Sequence, residues 1–241
     1  MKPFFPEKDN FSFCKSWSSC RSDFVNVLPR LLTEPLESFN GELIWSTTYK
    51  KSFRISGKNL SFPGDFVIKY YREKRFFRYL FRPSMALREY RGFALTEKVG
   101  IPVAEVLAFG EKRNFLRLKE AFFVTRYLDN THSGDEFLAA DCNVEQKDAY
   151  IKLNMEYLAK FHDAGLIHGG FNPRNELWRI NSDGNMEVIW IDLATCRKKT
   201  PREKRTQESD LYTFFKHFKF PEAEEKAYRD YYWSFRKKME F

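Results

Sequence analysis

The stretch LIHGGFNPRN, Leu166 to Asn175, decides how the rest of this 241-residue chain is read. Its glycines, Pro173 and two asparagines mark a loop, and the segments on either side differ in kind. Before it, NVEQKDAYIKLNMEYLAKFHDAG sets Ile151, Met155, Leu158 and Phe161 or His162 at helical spacing. Asn143 and Gln146 make a capping-box-like start to that helix, and Gly165 stops it. After the loop, ELWRI, the turn NSDGN and MEVIWID read as a β-hairpin that ends on Asp192. A Gly, Asn and Pro-rich loop joins many kinds of element, so its meaning depends on what else the chain carries.

Upstream the chain is rich in β-formers. GELIWSTTYKKSFRIS reads as two strands around a polar turn and GDFVIKYY as a third, each short. In SMALREYRGFALTEKVG, Leu87, Tyr90, Ala94 and Lys98 share one helical face, with Ser84 to cap the start and Gly100 the end. IPVAEVLAFG and AFFVTRYL resume the strand pattern. Residues 1–38 read as an irregular leader with one short helix interrupted by Pro29. Downstream of the hairpin, SDLYTFFKHF and PEAEEKAYRDYYWSFRKKM are helical, the second with Pro221 in a favourable first-turn position. The expectation is an α+β chain of three parts: the leader 1–38, a β-rich lobe 39–129 and a mainly helical lobe 130–241.

A hydrophobic share of 43% supports a folded globule, and an aromatic share of 18% predicts exposed as well as buried rings. Lys and Arg outnumber Asp and Glu by 41 to 33, a formal charge of +8 that favours anionic partners without selecting one. Cys14, Cys20, Cys142 and Cys196 show no CxxC spacing, and His132, His162 and His217 have no Cys or carboxylate at ligand spacing. The cysteines therefore read as thiols in a reducing compartment. No signal-peptide-like stretch opens the chain, and nowhere do about eighteen apolar residues run together. The expected location is cytoplasmic, with membrane contact at most peripheral.

Phosphoryl transfer from ATP needs a lysine on the phosphates, a carboxylate to hold that lysine, ligands for Mg²⁺ and usually a base for the acceptor hydroxyl. Candidates occur in that order. Lys69 ends the strand FVIK, and Glu89 lies twenty residues on, inside the capped helix. Asn175 closes the loop, and Asp192 ends the apolar strand VIWID, so both can reach a metal from opposite sides of the hairpin. Taken singly, a strand-end lysine is usually a rim residue and an Asp after a strand is usually a turn former. Order and register raise them to site candidates.

Together, FVIKYY, ALREYRGFALTEKVGIPVAEVLAFGE, HDAGLIHGGFNPRNELW and VIWIDLATCR resemble the bacterial lipopolysaccharide core kinases, the heptose and Kdo kinases with their InaA-type relatives, over roughly residues 40 to 215. The resemblance implies a protein-kinase-like bilobal fold, ATP and Mg²⁺ as cofactors, and a sugar hydroxyl of the lipopolysaccharide inner core as acceptor. That acceptor would be reached at the cytoplasmic face of the inner membrane. It implies that Lys69 binds phosphate and Glu89 pairs with it, that Asn175 and Asp192 hold the metal, and that His168 braces the loop.

Two departures from that family stand out. Where active members carry His-x-Asp, this chain has His168-Gly169-Gly170, leaving no side chain at 170 to take the hydroxyl proton. Help from a general base is worth roughly 10²–10⁴-fold. Asp163 and Asn172 are the nearby substitutes. The second departure is the turn STTYKKSFRIS, which has no glycine, so its backbone amides are not expected to cradle phosphates; Lys50 and Lys51 could supply charge instead.

The segment Lys69 to Ser84 interleaves Arg72, Lys74, Arg75, Arg78 and Arg82 with Phe76, Phe77, Tyr79 and Phe81. An anionic membrane or phosphorylated glycolipid competes evenly with a solvated amphipathic helix as its explanation, and nucleic acid ranks last. For the chain as a whole the leading expectation is a lipopolysaccharide core kinase-like phosphotransferase with a compromised loop. The rival is a pseudokinase that binds nucleotide, glycolipid or a protein. A small-molecule kinase of the aminoglycoside phosphotransferase type shares the H-G-x-x-N-P-x-N pattern but would also be expected to keep the aspartate.

Overall fold

The computed structural model describes residues 19–72, 82–114, 117–139, 143–200 and 207–237. Most of the basic-aromatic segment, 73–81, lies outside the described residues, as do Cys14 and Cys142. The chain divides into two compact units, one built from residues up to Tyr90 together with Ala104–Asp129, the other from Arg91–Val103 and the residues from Asn130 on.

The first unit is organised by a six-stranded antiparallel sheet. Its strands are β1 (Ser19–Cys20), β2 (Glu42–Ser46), β3 (Lys50–Ile55), β4 (Phe66–Arg72), β5 (Val106–Asn114) and β6 (Arg117–Arg126), in the order β1-β5-β6-β4-β3-β2. Because strand side chains alternate, the register assigns each residue a face. Phe53, Ile68 and Val124 align on one face, and Ser52, Lys69 and Phe123 on the other. The first of these faces belongs to a buried core that also holds Ile55, Phe66 and Phe122.

The leader covers that core. Phe24, Val27, Leu28, Leu31 and Leu32 follow the i, i+3, i+4, i+7, i+8 spacing of an apolar helical stripe, and all are buried in it. Ring contacts of Phe24 with Phe62 at 4.9 Å and Phe66 at 5.2 Å join the two layers edge to face. Two readings of the leader are thereby corrected. From Ser19 it is not irregular, since β1 adds an edge strand and Arg21 N–H bonds Leu107 O at 2.9 Å. Pro29 does not interrupt the helix either. It occupies the first turn of α1 (Leu28–Thr33), where its missing N–H leaves no intrahelical bond unmade.

Helix α2 (Met85–Lys98) is held at both ends. Ser84 Oγ accepts Leu87 N–H at 3.1 Å, and Ser84 N–H in turn bonds the buried carboxylate of Glu111 at 2.9 Å. At the far end Gly100, with φ 75°, closes a Schellman motif: its N–H reaches Glu97 O at 2.9 Å, and Ile101 N–H reaches Thr96 O at 3.3 Å. On the face shared by Leu87, Tyr90, Ala94 and Lys98, Leu87 is buried and Tyr90 half-buried. Ala94 and Lys98 are exposed, and the buried stripe runs through Ala86, Glu89, Phe93 and Thr96.

In the second unit α4 (Val144–Asp163) is the longest helix, capped by Asn143 Oδ1 on Gln146 N–H at 2.7 Å, with Tyr150, Ile151, Met155, Leu158 and Phe161 buried. It is accompanied by α3 (Gly134–Ala139), α5 (Gln207–Phe218) and α6 (Glu222–Lys237). Strands β9 (Glu176–Ile180) and β10 (Met186–Trp190) form the expected hairpin, extended by the short β7 (His132–Ser133). A second small pairing joins β8 (Leu166–Ile167) to β11 (Arg197–Lys198). Residues Arg91–Val103 brace the hairpin. Trp190 N–H bonds Pro102 O at 2.9 Å, and any side chain at Gly92 would collide with the carbonyl of Leu193, so helix and chain meet there backbone to backbone.

Candidate active site

In the first unit the strand register aims Lys69 off the sheet at the start of α2. Its ammonium pairs with the Glu89 carboxylate, and Tyr71, two residues along the same face, donates its hydroxyl to the other carboxylate oxygen. Glu89 is 0% exposed and the Lys69 side chain 11%. A buried ion pair recovers its desolvation cost poorly compared with apolar residues of the same volume. Its presence between a strand and a capped helix therefore argues for a task beyond stability.

Lys50 and Lys51 part company. Lys50 aligns with Tyr71 and shares the face of Lys69, whereas Lys51 aligns with Tyr70 on the opposite face, where Tyr70 is buried in the core. The turn before them spends its amides internally. Thr47 Oγ1 accepts Lys50 N–H at 3.1 Å and Tyr49 N–H at 3.3 Å. Those two donors are closed into a local turn and do not form an open phosphate cradle.

The second unit carries the loop. His168 is fully buried among Phe161, Phe171 and Trp190, and burial pushes its pKa down to about 4 against the opposing pull of Asp210 and Asp192. A neutral imidazole packed by rings is suited to bracing. Gly169 has φ 74°, a conformation that favours glycine. At Gly170 no carboxylate is present and the backbone carbonyl accepts Asn175 Nδ2–H at 2.9 Å. That bond fixes the Asn175 amide and leaves Oδ1 as the atom a cation would take.

Asn175 and Asp192 come from the two ends of the hairpin, joined by Ile191 N–H to Asn175 O at 2.8 Å. Asp192 has φ 57°, left-handed for a residue that is not glycine. Asp tolerates that region better than most, and such residues concentrate at functional sites. Oxygen donors of this kind suit a hard cation, which keeps waters and phosphate oxygens for the rest of its shell. Among the described residues there is no group of three or more His, Cys, Asp or Glu that could hold a metal ion.

Both substitutes for the missing aspartate are engaged elsewhere. Asn172 Oδ1 accepts Arg174 N–H at 2.9 Å, capping the 3₁₀ turn Pro173–Asn175. Asp163 forms an ion pair with Arg236 of α6.

Sequence reasoning missed the residue that holds the loop in place. Asp210, 3% exposed in the first turn of α5, accepts His168 N–H through Oδ2 and Gly169 N–H through Oδ1, each at 2.8 Å. Its pKa is lowered despite burial, by the His162 hydrogen bond, by charge interactions with His168 and His162 and by the His168 amide. In the sequence ESD at a helix start looks like ordinary first-turn acidity, and nothing there points 42 residues back. Tyr71 and Gly92 were missed for the same reason, since each acts on a neighbour distant in sequence.

No helix among the described residues is long and apolar enough to cross a membrane. No curated protein matches the chain. Its fold is similar to that of WaaP in a complex with acyl carrier protein, with 15% identity, a TM-score of 0.66, and coverage of 91% of this chain and 90% of that one. Double mutants of the Mycobacterium tuberculosis PknI kinase domain align more loosely, at 16% and 14% identity and TM-scores of 0.47 and 0.46, each over 71% of this chain and over 67% and 69% of their own. The likeness to WaaP shows that this chain shares its α+β fold. The pattern of the lipopolysaccharide kinase (Kdo/WaaP) family runs over residues 36–235, most of the length, and the chain belongs to that family.

Proposed function

We propose that this protein transfers a phosphoryl group from ATP to a sugar hydroxyl of the lipopolysaccharide core, at the cytoplasmic face of the inner membrane, with a loop that supplies no carboxylate at position 170. The buried Lys69–Glu89 pair carries the reading. In this scheme Lys69 meets the phosphates, aided by Lys50 on the same face, and Glu89 and Tyr71 keep its ammonium in place. Asn175 and Asp192 would hold Mg²⁺ through oxygen. When bound, the ion supplies positive charge to the phosphates and fixes their orientation. His168 braces the loop without exchanging protons. With glycine at 170 the acceptor hydroxyl loses its proton without side-chain help from that position. Phosphoryl transfer through a loose transition state tolerates this at reduced rate, because positioning and charge do most of the work.

The experiment is thermal stability with and without Mg-ATP, on the wild type, Asp192→Ala and Gly170→Ala. Ligand that binds the native state raises the melting point by mass action, about 2.7 kcal/mol at a hundredfold excess over Kd. The expected result is a shift in the wild type and in Gly170→Ala that is lost in Asp192→Ala. No shift in the wild type at saturating nucleotide would remove the proposal.

One set of observations favours a second reading. Gly170 lacks the base while Asp163 and Asn172 are both committed to other partners. A pseudokinase that holds Mg-ATP or glycolipid without transfer fits those facts. Nucleotide binding with no labelled product on any core acceptor would select it.

A further inference from the structure

The loop anchor Asp210 is the end of a longer chain of hydrogen bonds within the second unit. His162, buried at the last turn of α4, places Nε2 3.2 Å from Asp210 Oδ2 and Nδ1 2.6 Å from the hydroxyl of Tyr232 in α6. The Tyr232 oxygen is 3.0 Å from Arg236 Nη1, one turn further along α6. The same Nη1 reaches Gln207 Oε1 at 2.7 Å, and Gln207 Nε2 returns to the backbone carbonyl of His162 at 2.9 Å. Asp163, next to His162, pairs with Arg236.

The chemistry of these groups fixes every donor. Guanidinium only donates, so Arg236 gives to the Tyr232 oxygen. An ionised carboxylate only accepts, so His162 gives its proton from Nε2 to Asp210. Burial lowers the pKa of His162, which makes it neutral at neutral pH and leaves Nδ1 as an acceptor. Tyr232 must then donate to Nδ1. The direction is Arg236 to Tyr232 to His162 to Asp210, and the two Asp210 oxygens take the amides of His168 and Gly169. Tyr232, His162 and Asp210 are nearly or wholly buried. A buried group stripped of its partner bears its full desolvation cost, so a break at one link is felt at the next.

We infer that Tyr232 and Arg236 are positioning residues for the loop: acting through His162 and Asp210, they hold the backbone that carries Gly170 and, through its carbonyl, Asn175. This role serves the phosphotransfer proposed above and rests on that reading for its purpose, though not for its test. The C-terminal helix is then part of the machinery, where its sequence shows only a basic amphipathic end.

The test uses the full chain, labelled with ¹⁵N, as wild type, Tyr232→Phe and Tyr228→Phe. Tyr228 lies on the same helix with its hydroxyl on Asp148 and serves as the control for losing a phenol. In the wild type at neutral pH, His162 is expected to carry its proton on Nε2, with Nδ1 accepting a hydrogen bond. In Tyr232→Phe the Nδ1 resonance should move to that of a nitrogen without a donor. Exchange of the His168 and Gly169 amides should speed up about tenfold, the size of one neutral hydrogen bond, while amides of β9 and β10 hold their rates. Tyr228→Phe should change neither. Loop amides that exchange at wild-type rates once Nδ1 has lost its donor would overturn the inference. So would an acceleration spread evenly over the unit. If Tyr232→Phe does not fold, Arg236→Lys carries the same exchange test, because it keeps a cation beside Asp163 and removes the guanidinium from Tyr232. Mg-ATP shifts on the same samples separate the two ideas: a wild type without a shift sinks the phosphotransfer reading, and the exchange pattern still decides the positioning role.

Discussion

Gly170→Asp should turn this loop into a faster one, and the structure says why the substitution is admissible. The positive φ in this loop falls on Gly169, at 74°, and not on Gly170. Among the described residues a Cβ at position 170 would meet Thr195 Oγ1 at 3.4 Å, an ordinary contact, and nothing else closely. Replacing a glycine at a compatible site narrows the unfolded ensemble and is worth roughly 0.4–1 kcal/mol in favour of folding. Stability is therefore expected to move by about 1 kcal/mol at most, and the rate can be read without a folding correction. A positioned base contributes about 10²–10⁴-fold, which corresponds to about 3–5 kcal/mol of barrier. The assay is transfer of labelled γ-phosphate to lipopolysaccharide whose core phosphates have been removed, with ATP hydrolysis as a readout that needs no sugar. At least about a hundredfold gain in kcat is expected, with the Mg-ATP thermal shift retained. A folded, Mg-ATP-binding variant with unchanged transfer, on an acceptor that the wild type turns over measurably, would refute the placement of residue 170 at the reacting hydroxyl.

Glu89→Ala leaves the Lys69 ammonium and the Tyr71 hydroxyl without the carboxylate they share, a loss of about 3–5 kcal/mol for a broken buried pair, which should lower the melting point by roughly 10 °C in a chain of this size. Replacing both partners, Lys69→Met with Glu89→Leu, should restore most of that stability while abolishing the Mg-ATP shift; a double variant that still responds to Mg-ATP would remove Lys69 from the phosphate site. Acid should destabilise the fold through His168. Held at about 4 by burial, it stays neutral in the native state while the unfolded chain takes up a proton below about 6.5. The unfolded state then binds more protons between those values, so stability is complete above about pH 6.5 and falls towards pH 4, by roughly 3 kcal/mol for this group. Urea melts across that range measure it, and a flat profile would contradict the burial of a neutral ring.

What the sequence made legible, and what it hid, separates along one physical line. Elements were readable where the signal is local. The β-runs, the capped α2 and α4 and the hairpin around NSDGN all formed at about the expected limits, because alternation, capping and turn chemistry act within a few residues. Lys69 and Glu89 were readable as a pair through their order, one at a strand end and the other in the capped helix that follows, and through the family resemblance that this order carries. Errors arose where a distant partner decides. Lys50 and Lys51 looked equivalent until pairing with Tyr71 and Tyr70 put them on opposite faces. Asp210 is the largest omission and the most instructive. A carboxylate that accepts two backbone amides leaves no mark at the residues it holds, since every residue but proline has an amide to offer. Backbone anchoring of this kind can be placed on a site only once the fold has brought α5 to the loop. The chain Arg236–Tyr232–His162–Asp210 extends the same logic to α6: four side chains, none conspicuous in sequence, acquire a direction only when each one's donors and acceptors are counted together.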